Sequence, residues 1–182
     1  MTIDEMLLDC ASKQKKGLHF ILASVMIWAA VFLIHLTSLP ILTKNFLTFC
    51  FTAPLMPLAF LISWIIKVDF TNKENPLTKL GLIFSLNQIL YLLIAMWVYP
   101  TVPEKMVMVL GMIFGAHLLP YGWLYKSRSY ILMSVLIPVC VLIIGITLPP
   151  YFVAGSMILF EIVFSLLLFW EVKKLPYADH PL

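Results

Sequence analysis

GMIFGAHLLPYGWLYKSRSY, residues 111–130, is apolar enough in its first half to lie inside a bilayer, yet it carries an imidazole, His117, and a proline, Pro120. It then meets a basic end at Lys126 and Arg128. On a helical wheel Gly111, Gly115 and Gly122 fall within about 40° of one another, a smooth face on which a second helix can pack closely, in the same chain or across a homodimer. His117, Tyr121, Tyr125 and Arg128 fall on a different face, a polar stripe that runs toward the membrane surface.

The rest of the chain has the same character. It has 182 residues, of which 62% are hydrophobic and only 12% charged, with a mean hydropathy of +1.01. An average soluble domain carries about twice that charge. The apolar residues come in runs of about 20, the length that crosses a hydrocarbon core of ~30 Å. This pattern describes an all-α polytopic membrane bundle in one domain, with the lipid bilayer as its main partner. The net charge of +3 is no nucleic-acid signal, because the basic residues sit at the ends of apolar runs. Cys10, Cys50 and Cys140 are scattered without metal-ligand spacing and read as packing residues.

Six spans are expected near 18–38, 46–66, 80–99, 106–125, 129–148 and 151–172, with a tail at 173–182. With the N-terminus inside, one side of the membrane receives Lys13, Lys15, Lys16, Lys67, Lys73, Lys79, Lys126, Arg128, Lys173 and Lys174. The other side receives only Lys44 and Lys105. This excess of basic residues in one set of loops places both termini in the cytoplasm of a cell (inner or plasma) membrane protein. The expected outer turns carry Pro40, Pro100, Pro103, Pro149 and Pro150, which cannot donate the bond that continues a helix.

Residues 1–17 do not read as a secretory signal, since Asp4, Glu5 and Asp9 occupy what should be a basic region. Thr2 and Glu5 fit a capping box, and Ile3, Met6, Leu7 and Cys10 recur with helical spacing. An amphipathic helix on the membrane surface is expected, with Lys13, Lys15 and Lys16 near lipid headgroups. Dividing the chain after the third span also suggests an inverted repeat of the transporter kind. His35–Pro40 then matches His117–Pro120, Pro54 and Pro57 match Pro138, and Gly81–Asn87 matches Gly155–Glu161.

Glu161 is the one carboxyl group well inside a span. Inserting its charge there costs roughly 2.5–3.5 kcal/mol, so it needs a proton or a partner. At about 1.5 Å per residue, His117 and Asn87 lie at nearly the same depth. The expectation is a substrate or proton site of Glu161, His117 and Asn87, with Tyr121, Tyr91 and Ser165 as lining and Gly111 and Gly115 as packing residues. Hydrogen-bonded glue between helices is the alternative role for these groups, more so for Asn87 and its neighbour Gln88. Ser24, Trp28 and His35 share a face of the first span, with His35 near enough to the surface to be solvated. No HExxH, GxSxG, Walker loop or paired cysteine ligands occur, so no catalytic residue, metal or cofactor is expected.

Around GAHLLPYGWLYKSRSY, with His117, Pro120, Tyr121, Trp123, Tyr125 and Tyr130, the chain resembles a family of small bacterial integral-membrane proteins of unknown function. The resemblance runs along most of the chain and implies a multi-helix bacterial inner-membrane protein. It carries over no activity. Three functions stay open: a permease or proton-linked transporter of an unknown small solute, a non-catalytic membrane sensor or partner subunit, and a membrane-embedded enzyme acting on lipid with His117 as base.

Overall fold

A computed structural model describes residues 2–69 and 74–175. Among them the secondary structure is helical throughout: α1 Ile3–Lys13, α2 Leu18–Leu36, α3 Ile41–Thr52, α4 Leu55–Ile65, α5 Leu77–Thr101, α6 Met106–Ala116, α7 Leu119–Leu124, α8 Arg128–Thr147 and α9 Pro150–Lys173. Five helical stretches are long and apolar enough to cross a membrane, with α6 and α7 counted as one, and α3–α4, bent by 41°, makes a sixth. The chain is an all-α, multi-pass membrane bundle. Lys73 of the internal loop and residues 176–182 of the expected tail lie outside the described residues.

Two spans are interrupted, and prolines explain both. Pro54 and Pro57 have no N–H with which to close the i+4 bonds to the carbonyls of Cys50 and Ala53, so α3 stops at Thr52 and α4 restarts at Leu55. Pro120 likewise leaves Ala116 without its helical donor, and it sits in the first turn of α7, where a missing N–H is tolerated. Pro138, by contrast, lies inside the unbroken α8. The two halves of the chain therefore differ where an inverted repeat would make them alike: Pro54 ends a helix and Pro138 does not.

α2 packs along α9, and α6 along α8. The second contact is built on small residues. A Cβ on Gly115 would lie 2.6 Å from Pro138 Cδ and 2.8 Å from Ile137 Cγ2, and one on Gly111 would lie 3.0 Å from Val141 Cγ1. Gly145 answers from α8, with Met108 of α6 laid across it. These close approaches gain dispersion contacts in a medium that offers no hydrophobic drive between helices.

α1 does not lie out on lipid. Its capping box forms between Thr2 and Glu5, but Leu7, Cys10 and Ala11 are buried in the common core. The helix is folded back over one end of the bundle, which covers Leu7 and Cys10 of its apolar stripe and leaves Ile3 exposed. Asn75 Nδ2 donates to Met6 O at 2.7 Å and to Asp9 Oδ2 at 2.9 Å, and Lys126 Nζ pairs with Asp4 Oδ1 at 2.8 Å. Burial, helped by the neighbouring Asp9, pushes the Cys10 thiol up to about 12.

Of the three lysines expected near headgroups, Lys13 pairs with Asp9 on the surface of α1 at 2.9 Å, while Lys15 and Lys16 are used inside the protein. Lys15 Nζ donates to Ile66 O at 2.6 Å, capping the end of α4. Lys16, only 5% exposed, pairs with Glu171 Oε2 at 2.8 Å. Glu171 Oε1 in turn accepts from the backbone N–H and the hydroxyl of Ser129 at 3.0 and 2.6 Å. At the opposite end Lys44 Nζ donates to His35 O at 3.2 Å and Lys105 Nζ to Gly145 O at 2.7 Å. These two basic residues of the other end thus satisfy carbonyls at the C-termini of α2 and α8, where a helix dipole favours positive charge. His35 itself is buried, not solvated, with Nε2 3.2 Å from Thr48 Oγ1 of α3.

Candidate functional site

The interrupted spans α3–α4 and α6–α7 both start at the bundle end opposite α1. Thr52 and His117 each come eleven residues after the first residue of their span, Ile41 and Met106. Asn45 Nδ2 donates to Pro103 O at 2.8 Å, which sets the two spans level there, so the break at Thr52 comes seven residues further in and the one at His117 fourteen. Between them, with α2 behind and α5 at the side, is a cavity of about 420 Å³. Irregular backbone is tolerated at membrane depth where it lines a cavity, and both breaks do so through Thr52, Ala53, His117 and Leu118.

The cavity wall is mostly apolar, with Trp28 and Phe114 among its rings, and its polar groups are Ser24, Thr52, Ser85, Gln88, His117 and the tyrosines 121, 125 and 130. Among the described residues no Lys, Arg, Asp or Glu lines it. Its inner wall is buried: Ser24, Trp28, Leu118 and Tyr125 are all shielded. Its edge is not, since Met56 of α4 and Leu86 and Ile89 of α5 are 43%, 53% and 58% exposed. These residues are apolar and sit on the perimeter of the bundle, so the cavity opens sideways, toward lipid, between α4 and α5.

Hydrogen-bond accounting gives the cavity its chemistry. His117 Nδ1 lies 2.5 Å from Phe114 O, and a carbonyl only accepts, so Nδ1 carries the hydrogen and Nε2 of the neutral ring presents a lone pair. Thr52 Oγ1 donates to Phe49 O at 3.0 Å, which leaves only its lone pairs. Tyr121 Oη donates to Gly81 O at 3.0 Å and meets Ser85 Oγ at 2.7 Å, tying α7 to α5. The cavity is rich in acceptors.

Glu161 stands one layer behind this wall. It is 0% exposed, on the face of α9 that packs on α2. Ser24 Oγ lies 2.8 Å from Ile21 O and 2.5 Å from Glu161 Oε2. A hydroxyl has one hydrogen, which Ser24 offers to Ile21 O, to Glu161 Oε2, or to both as a three-centre bond. Glu161 Oε1 has no hydrogen-bond partner among the described residues, and neither does the buried Oγ of Ser165 one turn away. Ser24 therefore connects a buried acid to the cavity.

The residues expected to form one layer are only partly brought together. His117, Tyr121 and Ser24 line the cavity, and Glu161 reaches it through Ser24. Asn87 does not join them: it lies exposed on the outer face of α5 and donates to Tyr91 Oη at 3.0 Å. Its neighbour Gln88 faces the cavity instead. The signal lies in α5 itself, where Gly81, Ser85, Gln88, Leu92 and Ala95 recur at helical spacing as a small and polar stripe, while Asn87 and Tyr91 fall on the other side.

The end of the cavity nearest α1 is closed by tyrosines held by the N-terminal segment. Tyr125 Oη donates to Gln14 Oε1 at 2.7 Å, and Tyr130 Oη to Lys16 O at 3.0 Å. The chain turns here through three left-handed residues, Lys15, Lys16 and Gly17, with φ of 45°, 50° and 71°. Such conformations cost about 1–2 kcal/mol for each non-glycine residue, so the lysine contacts must hold them. A side chain at Gly17 would lie 2.8 Å from Tyr130 Oη and 3.1 Å from Tyr125 Cε2.

Residues 3–171 match the model of a family of unknown function, DUF7010, and the chain belongs to that family. No curated protein and no solved structure matches the chain.

Proposed function

We propose that this member of the DUF7010 family is a small permease of the cell membrane, with both termini in the cytoplasm, whose solute site is the cavity between the two broken spans. The observation that carries the reading is the pair of helix breaks that both line that cavity, through Thr52 and Ala53 on one span and His117 and Leu118 on the other. Discontinuous helices flank the binding sites of many secondary transporters, because a break supplies free backbone groups and a place to bend. Glu161 adds an exchangeable proton one hydroxyl away, so movement of the solute is linked to protonation through Ser24. The orientation rests on the basic residues, which gather at the end that α1 covers. In this reading the segment Gln14–Gly17, bonded to Tyr125 and Tyr130, closes the cytoplasmic end.

The lateral opening favours a second reading, a lipid-acting enzyme with His117 as base. Against it, among the described residues the cavity wall holds no acid, cysteine or second histidine to complete a catalytic set.

The test uses vesicles that carry the purified protein. A small-molecule extract of the producing cells is supplied outside under an imposed proton gradient, and the vesicle contents are compared by mass spectrometry. The permease reading expects at least one compound enriched by the wild type, only with the gradient, and not by a Glu161→Gln protein that melts normally. If every compound distributes alike in protein-containing and empty vesicles, the reading fails.

A further inference from the structure

Which hydrogen a solute must bring follows from what the cavity wall has already spent. Three groups on that wall accept hydrogen bonds and have no hydrogen left to offer: His117 Nε2, Thr52 Oγ1 and the carbonyl of Ala53. His117 has placed its hydrogen on Phe114 O and Thr52 has placed its own on Phe49 O. Ala53 faces Pro57 four residues on, which has no N–H to return. Thr52 and Ala53 flank one helix break and His117 the other, and all three line the cavity. At membrane depth, with no water at hand, an acceptor left unpaired costs about 1–3 kcal/mol, so an occupant that donates is favoured over one that only accepts.

Among the described residues the wall also lacks any charged side chain. A carboxylate or phosphate would find only neutral donors there, such as the Gln88 amide, with no cation to balance its charge, and an ammonium group would lose its hydration without a facing anion. The remaining wall is apolar, and the exposed edge between α4 and α5 abuts the membrane. A cavity of about 420 Å³ suits one chain or ring system of drug-like size.

We propose that the cavity takes an uncharged, hydroxyl-bearing amphiphile, which enters sideways from the bilayer between α4 and α5 and donates its hydroxyl to His117 Nε2 or the Thr52–Ala53 break. This deepens the permease reading and rests on the same cavity. It is tested by binding alone, so the two stand or fall separately.

The probe is a long-chain alcohol carrying a diazirine, presented to the full-length protein in lipid nanodiscs, beside the carboxylate and the trimethylammonium of the same chain. Crosslinked peptides are located by mass spectrometry. The alcohol is expected to label the α4 and α5 residues around Met56, Leu86 and Ile89, saturably and in competition with unlabelled alcohol. The charged analogues are expected to compete at least tenfold less well. His117→Phe should weaken the competition by roughly threefold to tenfold, the worth of one buried hydrogen bond. Leu86→Trp, on the exposed rim, should block labelling while the protein melts as before, which covers the case in which the His117 variant does not fold. Equal labelling by the carboxylate or the ammonium overturns the proposal, as does labelling spread over the lipid-facing helices without competition. If the alcohol binds as described but nothing is taken up by vesicles, the ligand class stands and the permease reading falls.

Discussion

Three glycines in the bundle make a graded test of how closely its helices pack. Replacing a helical glycine by alanine gains up to about 1 kcal/mol of helix propensity. Whether the gain survives depends on the space for one methyl group. At Gly155 of α9 the nearest atom to a new Cβ is Phe32 Cε2 at 3.4 Å, ordinary contact with a side chain that can shift. At Gly111 it is Val141 Cγ1 at 3.0 Å, with Met157 Sδ at 3.4 Å. At Gly115 it is Pro138 Cδ at 2.6 Å and Ile137 Cγ2 at 2.8 Å, a rigid ring and a β-branched side chain. Carbon atoms prefer about 3.5–4.0 Å, so only the third site forces α6 away from α8. Overpacking costs about 1–3 kcal/mol, and Gly115 lies in the last turn of α6, where propensity returns least. Gly155→Ala should therefore raise the melting temperature in detergent slightly, Gly111→Ala should leave it nearly unchanged, and Gly115→Ala should lower it. At about 2–4 °C per kcal/mol, the spread between first and last is ~5 °C or more. A Gly155→Ala protein that loses as much as Gly115→Ala would refute the packing argument.

Other outcomes follow from the same contacts. Lys16→Ala leaves Glu171 with only the neutral donors Ser127 and Ser129 and should cost about 2–3 kcal/mol, below the ~3–5 kcal/mol of a fully buried pair because Glu171 keeps some solvent; denaturant melts of the single and double variants measure it. Gly17→Ala meets both a left-handed φ of 71° and the two tyrosines, so it should loosen the Gln14–Tyr125 closure and speed protease cleavage before residue 18. Cleavage at the wild-type rate contradicts the role given to that turn. Burial keeps the Cys10 thiol protonated well above the ordinary thiol range, so iodoacetamide at pH 8 should spare it until the protein unfolds. By linkage, stability from this group is complete below the unfolded thiol pKa of about 8.5 and is lost as pH rises toward the folded value. Alkylation of Cys10 in the native protein at the rate of an unfolded thiol would contradict its burial.

The helices were legible because apolar runs, prolines and lysines are local signals. Pro54 and Pro57 mark an interruption anyone can find by asking which carbonyls lose their donors. Pro138 shows the limit, since the same residue sits in an unbroken α8, held by packing against α6. Depth was legible too, because helical rise is constant. What the sequence leaves open is rotation and partnership. Asn87 and His117 share a depth, but α5 turns Asn87 outward and Gln88 inward. Glu161 meets Ser24 because α9 packs on α2, a pairing that no local pattern encodes. The stripe on α1 asks for an apolar cover without saying whether lipid or protein supplies it, and here the bundle covers Leu7 and Cys10 of it.

The most direct test of the cavity as a solute site is a density map of the protein in nanodiscs made with lipids of the producing cells. The expected result is an elongated feature that enters between α4 and α5 and ends against His117 and the Thr52–Ala53 break, diminished in a Leu86→Trp protein. A cleft closed by a second copy of the chain, or a cavity collapsed onto Trp28 and Phe114 with no room for a ligand, would contradict the account.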